Sequence, residues 1–272
     1  MDITKEFEQE FGVLKSLNNS LLILINSLAE SKAKPLYFQT ELESKFHRFF
    51  LTNLSILKLV KGLEFEFLGK KYPTRDVFSV HSLSRMQIEN FIVMKYLFFD
   101  DIPDEEKDFR YDIYKFQGLT KQLGFNVTKP ESQKKKDSIV EENNKIKTKI
   151  EGSSIFINAD AKTKKEFLSA KYALLIKKED LFESYGLSKL KLNQAWSLYS
   201  NHSHSEHIGD RQFNSYYKVE KSTDKAMISP LMNNSVLTAK LCNLLLKHFE
   251  CTIEKFNGLP LSDKILIKKY DF

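Results

Sequence analysis

Val77-Phe78-Ser79-Val80-His81-Ser82-Leu83-Ser84-Arg85-Met86-Gln87-Ile88-Glu89-Asn90-Phe91-Ile92-Val93-Met94-Lys95-Tyr96-Leu97 is the stretch that decides the fold. No glycine or proline interrupts it, and its apolar residues fall on every side of a helical wheel, which marks a helix enclosed by protein. Thr74 or Asp76 can cap its start, the helix runs to about Phe99, and Pro103 follows its end. His81, Arg85 and Glu89 recur at i, i+4 and i+8, so they share one narrow face of this helix. A charged stripe on an enclosed helix has to be paired, because an uncompensated buried charge costs several kcal/mol. Two readings follow: an Arg85–Glu89 pair that fixes helix register, or a polar pocket lined by the stripe. If Glu89 is left buried and unpaired, Arg85→Ala costs about 3–5 kcal/mol.

Working outward, apolar spacing predicts helices over Asp2–Ser31, Phe38–Leu68, Asp104–Leu123, Leu168–Tyr185, Leu190–Tyr199 and Pro230–Phe256. Ile155–Asn158 is too short to assign. Gly209–Ser229 reads as a polar, tyrosine-containing loop, and the tail after Pro260 has no clear periodicity. Nine glycines and six prolines in 272 residues are too few for glycine-rich phosphate loops or tightly turned β architectures. The expected fold is all-α, an irregular bundle of about six to eight helices. It has an N-terminal half over 1–127, a charged arm or exposed helix over 128–150, and a C-terminal half over 151–272 packed on the first as a single compact domain.

The formal charge is +6, and residues 121–191 carry sixteen basic against ten acidic side chains, so the whole excess resides there. Such a stretch attracts nucleic acid, or is simply a lysine-rich solvated face. Cys242 and Cys251 fall in one expected helix, where a rise of ~1.5 Å per residue keeps them about 13 Å apart, too far to bridge. A reducing cytoplasm fits this cysteine usage. Half of the first ten residues are charged, and the apolar run Leu21–Ile25 is far short of the ~20 residues that span a bilayer, so neither a secretory signal nor a membrane association is expected.

Three of the six histidines crowd into Ser200-Asn201-His202-Ser203-His204-Ser205-Glu206-His207, directly after the only tryptophan, Trp196. Histidine titrates nearest neutrality and is the commonest metal ligand, so any chemistry is expected here. The run from His202 to Asp210 looks locally like the metal motif of metallo-β-lactamase-fold hydrolases, with Glu206 where that family has aspartate. That fold needs a strand before the motif, many glycines and further ligands downstream, and the sequence offers none of these. A local metal-dependent hydrolase site built on His202–His207 stays as one alternative. The expectation is that no metal or cofactor is bound.

A second resemblance covers more of the chain. Arg85 with Glu89 four later, followed far downstream by Trp196-x3-Ser200-x3-His204, resembles a bacterial all-helical family known as domain of unknown function 5677. The match spans roughly Phe38 to Phe249. That family is distantly similar to the HEPN superfamily of helical domains found in toxins, phage-defence systems and RNA-processing nucleases. The resemblance implies an Arg-x4–6-His motif that cuts RNA without metal, the histidine moving protons and the arginine stabilising phosphate. No arginine stands at that spacing before His202, His204 or His207, whereas Arg75 and His81 match it. The candidate site residues are therefore His204, Arg85, Glu89, Ser200, Arg75 and His81, with Glu89 orienting His204 and Arg85 holding an anion. RNA binding or cleavage, in defence or toxin–antitoxin biology, is what the resemblance implies. The other alternative is a non-catalytic helical interaction module in which the polar network is structural. Its partner would be a protein or a second copy of the chain.

Overall fold

The structure is a computed structural model that describes residues 2–31, 39–203, 207–218 and 222–270. Along the chain lie α1 (Ile3–Glu30), α2 (Gln39–Lys61), a hairpin of β1 (Leu63–Phe67) and β2 (Lys70–Thr74), and α3 (Val77–Met94), which runs on as a π-helical turn over Lys95–Phe99. Then come α4 (Asp104–Leu123), α5 (Pro130–Glu151), α6 (Ser154–Asn158), α7 (Ala161–Leu168), α8 (Lys178–Ser184), α9 (Leu192–Ser203), α10 (His207–Lys218), α11 (Ser222–His248), α12 (Cys251–Asn257) and α13 (Leu261–Lys268). The all-α class stands. Thirteen helices among the described residues replace the expected six to eight, and the surplus is the five helices of five to eight residues, too short to show a readable period.

The chain forms two compact units. One is built from residues 1–94 and 182–272, the other from the intervening 95–181. The expected arm over 128–150 lies inside the second.

In the first unit α1 packs along α11 and against α2, α12 and α13. Asp2 caps α1 by accepting from Thr4 N at 3.0 Å. Phe7, Leu14, Leu17, Leu21, Leu24, Ile25 and Leu28 recur at helical spacing and are buried, each contributing about 1.5–3 kcal/mol. Helix α3 is covered by α2, α9 and α11, as its all-round apolar pattern requires. Where these helices meet, the core is polar. Asn53 donates to Asn18 Oδ1 at 3.0 Å and to Thr238 Oγ1 at 2.9 Å, and it accepts from Gln87 Nε2 at 2.8 Å. Asn234 donates to Ser84 Oγ at 2.8 Å, and Thr238 donates to Asn234 O at 2.6 Å. All six side chains are buried.

Several elements differ from the sequence reading. Helix α2 stops at Lys61, not Leu68, because Gly62 takes φ 102° and the alternation Leu63-Glu64-Phe65-Glu66-Phe67 suits a strand. Leu68 and Gly69, at φ 51° and 71°, close the two-residue hairpin loop. Of the expected helix over Leu168–Tyr185 only α8 forms, and α7 ends where that helix was expected to begin. Asp160 caps α7 early, accepting from Lys162 N at 2.8 Å and Thr163 N at 3.0 Å, and Ala170 turns left-handed at φ 52° after its end. The expected loop over Gly209–Ser229 holds α10 and the start of α11. Pro230 lies inside α11 rather than at its start. The last helix breaks after His248, so Cys242 and Cys251 sit on separate helices, both as free thiols. The tail after Pro260 forms α13.

The second unit is centred on α4 and α5. Phe109, Ile113 and Phe116 meet Ile146 and Ile150, with Phe156, Phe167 and Leu168 packed alongside. Arg110 is its electrostatic hub: it bonds Asp100 Oδ2 and Glu106 Oε1 at 2.7 Å each and the Tyr96 carbonyl at 3.3 Å. Its guanidinium lies 4.1 Å from the centre of the Tyr96 ring. Helix α1 is long and apolar enough by length and composition to cross a membrane, and half of its most apolar window is buried inside the first unit.

Candidate functional site

The packing of α3 on α9 brings two polar clusters together. The first contains Arg85, Glu89, Trp196 and Ser200. Glu89 Oε1 accepts from Arg85 Nη2 at 3.3 Å and from Trp196 Nε1 at 3.2 Å. The Arg85 guanidinium stands 5.5 Å from the centre of the Trp196 ring. Ser200 Oγ donates back to the Trp196 carbonyl at 2.8 Å, within its own helix. So Arg85 and Glu89 converge with the tryptophan, while Ser200 spends its hydroxyl on α9. His204, the residue expected to complete the pocket, lies outside the described residues, as do Ser205 and Glu206.

The Arg85–Glu89 part of the stripe is not deeply buried. The Arg85 and Glu89 side chains are 23% and 31% exposed. The 3–5 kcal/mol that full burial would impose on Arg85→Ala is therefore too high, because water reaches the carboxylate left behind. An i, i+4 pair this wet is worth about 0.5 kcal/mol, and the lost packing on Trp196 adds a similar amount. Arg85→Ala should shift stability by about 1 kcal/mol, read as a small drop in urea midpoint, with a change in Trp196 fluorescence as its ring loses the guanidinium.

The second cluster joins His81 of α3 to His202 of α9. Their rings stack at 4.6 Å and 9°, with Nδ1 to Nδ1 at 2.6 Å. His81 is 2% and His202 8% exposed. Phe78 meets the His202 ring edge-on at 4.9 Å, Tyr199 tilts over His81 at 4.7 Å, and Tyr216 points its edge at both. His202 Nε2 bonds the Gln212 side-chain amide on α10. His81 Nε2 lies 3.4 Å from the carbonyl of Ala226 on α11. That carbonyl is available because Pro230, four residues on, has no N–H to give it. Burial, and the neighbouring His202 after it, push the His81 pKa down to about 3, and the Ala226 bond offsets only part of this. His81 is thus uncharged at neutral pH.

The proton positions follow from the acceptors. Ala226 O needs a donor, so His81 carries its proton on Nε2 and accepts at Nδ1. His202 then donates from Nδ1 and accepts at Nε2, which requires the nitrogen of the Gln212 amide to face it. With Gln212 Oε1 facing instead, as it stands in the structure, the same contacts hold one further proton. The relay therefore has two proton counts, separated by a half-turn of one amide.

Arg75 and His81, the pair with nuclease spacing, are both engaged by the protein. Arg75 forms an ion pair with Asp224, donates from Nε to Val60 O at 2.8 Å and lies over the Phe7 ring at 4.6 Å. Both His202 nitrogens point at protein groups, which removes His202 from the nine-residue metal motif. Among the described residues no group of three or more His, Cys, Asp or Glu side chains is arranged to hold a metal ion. His207 opens α10 on the exposed side. Sequence reading missed Gln212, Tyr216 and Asp224. The i, i+3 spacing of Tyr199 and His202 and the proline inside an apolar helix were the signals that could have found the cluster. No family model, curated protein or solved structure matches the chain.

Proposed function

We propose that this is an HEPN-like helical protein that binds RNA in the cytoplasm without cutting it through Arg75 and His81. The observation that carries the reading is the surface of the second unit. Between residues 121 and 181 it has fourteen basic and nine acidic side chains. Lys134, Lys135, Lys145, Lys162, Lys165, Lys171 and Lys177 are exposed there. Phe125 and Tyr172, 68% and 55% exposed, stand in loops with Lys136 Nζ at 3.3 Å from the Phe125 carbonyl and Lys171 Nζ at 5.0 Å from the Tyr172 ring centre. Lysines meet phosphates, and exposed rings next to them take bases. Against cleavage at the Arg75–His81 motif stand the buried, uncharged imidazole and the arginine committed to Asp224. Neither group is presented to a scissile phosphate.

The test is binding of a mixed RNA pool, with chelator present and the RNA recovered afterwards for length. Binding should weaken steeply with salt. In a Lys134→Glu, Lys135→Glu, Lys145→Glu variant the slope of log K against log salt should fall by about 2, at ~0.7 per lost phosphate contact on a single strand. The RNA should come back intact. Chelator-resistant cleavage that vanishes in His204→Ala would restore a nuclease reading. An absence of binding at low salt would favour the interaction module, which the buried hydrogen bonding of His81 and His202 supports independently.

A further inference from the structure

We propose that the His81–His202 pair is a pH-operated latch on α10: in its neutral form it holds α10 against α3, α9 and α11, and uptake of a proton releases that helix. Four elements meet at the pair. His81 comes from α3, His202 from the last turn of α9, Gln212 and Tyr216 from α10, and Ala226 from the first turns of α11. Among the described side chains of α10, those that turn inward do so at this spot. Gly209 lies buried in its first turn, where an added Cβ would touch His202 Cδ2 at 3.6 Å. Gln212 and Tyr216 turn inward one and two turns later, while His207, Asp210, Arg211 and Ser215 are exposed.

A charge on this pair is poorly received. The groups facing it are the Phe78 ring from α3, Tyr199 from α9 and Tyr216 from α10. Burial raises both tyrosines, Tyr199 to about 12, so neither becomes an anion that could balance an imidazolium. From α11 the nearby acid is Asp224, and its carboxylate already carries Arg75. Arg85, one turn beyond His81 on α3, is paired with Glu89, and Asp210 and Arg211 on α10 and Lys225 on α11 are exposed. Gln212 Oε1, which faces His202 Nε2, supplies one acceptor to the protonated relay. That acceptor is a dipole and leaves the buried charge unbalanced.

The direction follows. Closed, His81 stays unprotonated down to about pH 3. Released into water, it titrates near its ordinary value of ~6.5. Release therefore takes up a proton, and each unit of pH below about 6.5 multiplies the released population by about ten. The effect is confined to acid conditions and is absent above neutrality.

Amide hydrogen exchange on the whole chain, followed residue by residue from pH 7.5 to 4.5, reads this out. After correction for the intrinsic rate, protection of 207–218 should fall about tenfold per pH unit below 6.5. Amides of Leu24, Leu241 and Ile146 should keep their protection over the same range. In the wild-type protein the His81 Cε1 proton should show no ordinary titration near pH 6.5 while α10 is closed. A His81→Phe variant, which fills the place of the His81 ring without its titratable nitrogens, should lose the tenfold-per-unit pH dependence of α10. Protection of α10 that does not change with pH, or that changes equally in His81→Phe, overturns the proposal. So does an exchange increase spread uniformly over α1, α10 and α11, which would be global acid unfolding.

Discussion

Arg110→Ala is expected to cost the second unit about 3–5 kcal/mol, enough to unfold much of it. Arg110 is buried, and its fork is shared between two carboxylates and a main-chain oxygen. Asp100 is itself only 14% exposed. Truncation would take the guanidinium from that carboxylate, which keeps Lys95 at 3.3 Å, and open the space it filled over Tyr96. The loss is large because one buried fork joins two carboxylates and the Tyr96 carbonyl, and all three lose it together. Arg110→Lys keeps the charge without the planar fork and should fall between wild type and alanine. Exchange of the Ile146 and Ile150 amides measures it on the intact chain. A change under 1 kcal/mol would mean that water already solvates Asp100.

Asn53→Leu should destabilise the first unit by a comparable amount, about 3–5 kcal/mol, although it swaps a side chain for one of similar size. Asn53 uses both amide hydrogens and its oxygen on Asn18, Thr238 and Gln87, in a core where none of these groups reaches water. Each polar group left behind unsatisfied costs about 1–3 kcal/mol. Gln87 retains its bond to Phe49 O at 2.8 Å, which keeps the total below the sum of three losses. Urea unfolding followed by Trp196 fluorescence gives the value. Thr238→Val should cost less in the Asn53→Leu background than alone, because the two share one bond. Additive costs would show that the network does not act as a unit.

The all-α class and the enclosed third helix were legible because long helices write their period into many residues at once. The Arg85–Glu89 stripe was legible for the same reason. What failed were features fixed by one or two residues or by distant parts of the chain. Gly62 ends α2 by a single positive φ, inside a stretch whose apolar content still suits a helix. Pro230 looked like a helix start, the usual place for proline, but here a histidine about 150 residues earlier takes the carbonyl that proline leaves open. The stacking of His81 on His202 likewise joins α3 to α9, residues 121 apart in sequence, a pairing that the local spacing of Tyr199 and His202 hints at without naming its partner. The spacing that made Arg75 and His81 look like a nuclease pair is a property of sequence distance alone. In three dimensions α11 claims both, Arg75 through Asp224 and His81 through Ala226.

The two-segment construction of the first unit sets an order of events during synthesis. Helix α1 leaves the ribosome with its apolar stripe complete, but its main partner, α11, follows roughly 200 residues later, which at about 5–20 residues per second is on the order of 10–40 s. The intervening unit has a core built from its own residues, all of which have been made while α1, α2 and α3 still wait for α11. For that interval the nascent chain carries a folded middle and an unsatisfied, strongly hydrophobic beginning. The final helices close the first unit and so determine whether the nascent protein escapes aggregation. Nonsense or frameshift lesions upstream of Ser222 should thus yield insoluble product even though most of the polypeptide, and one entire unit, has been made correctly.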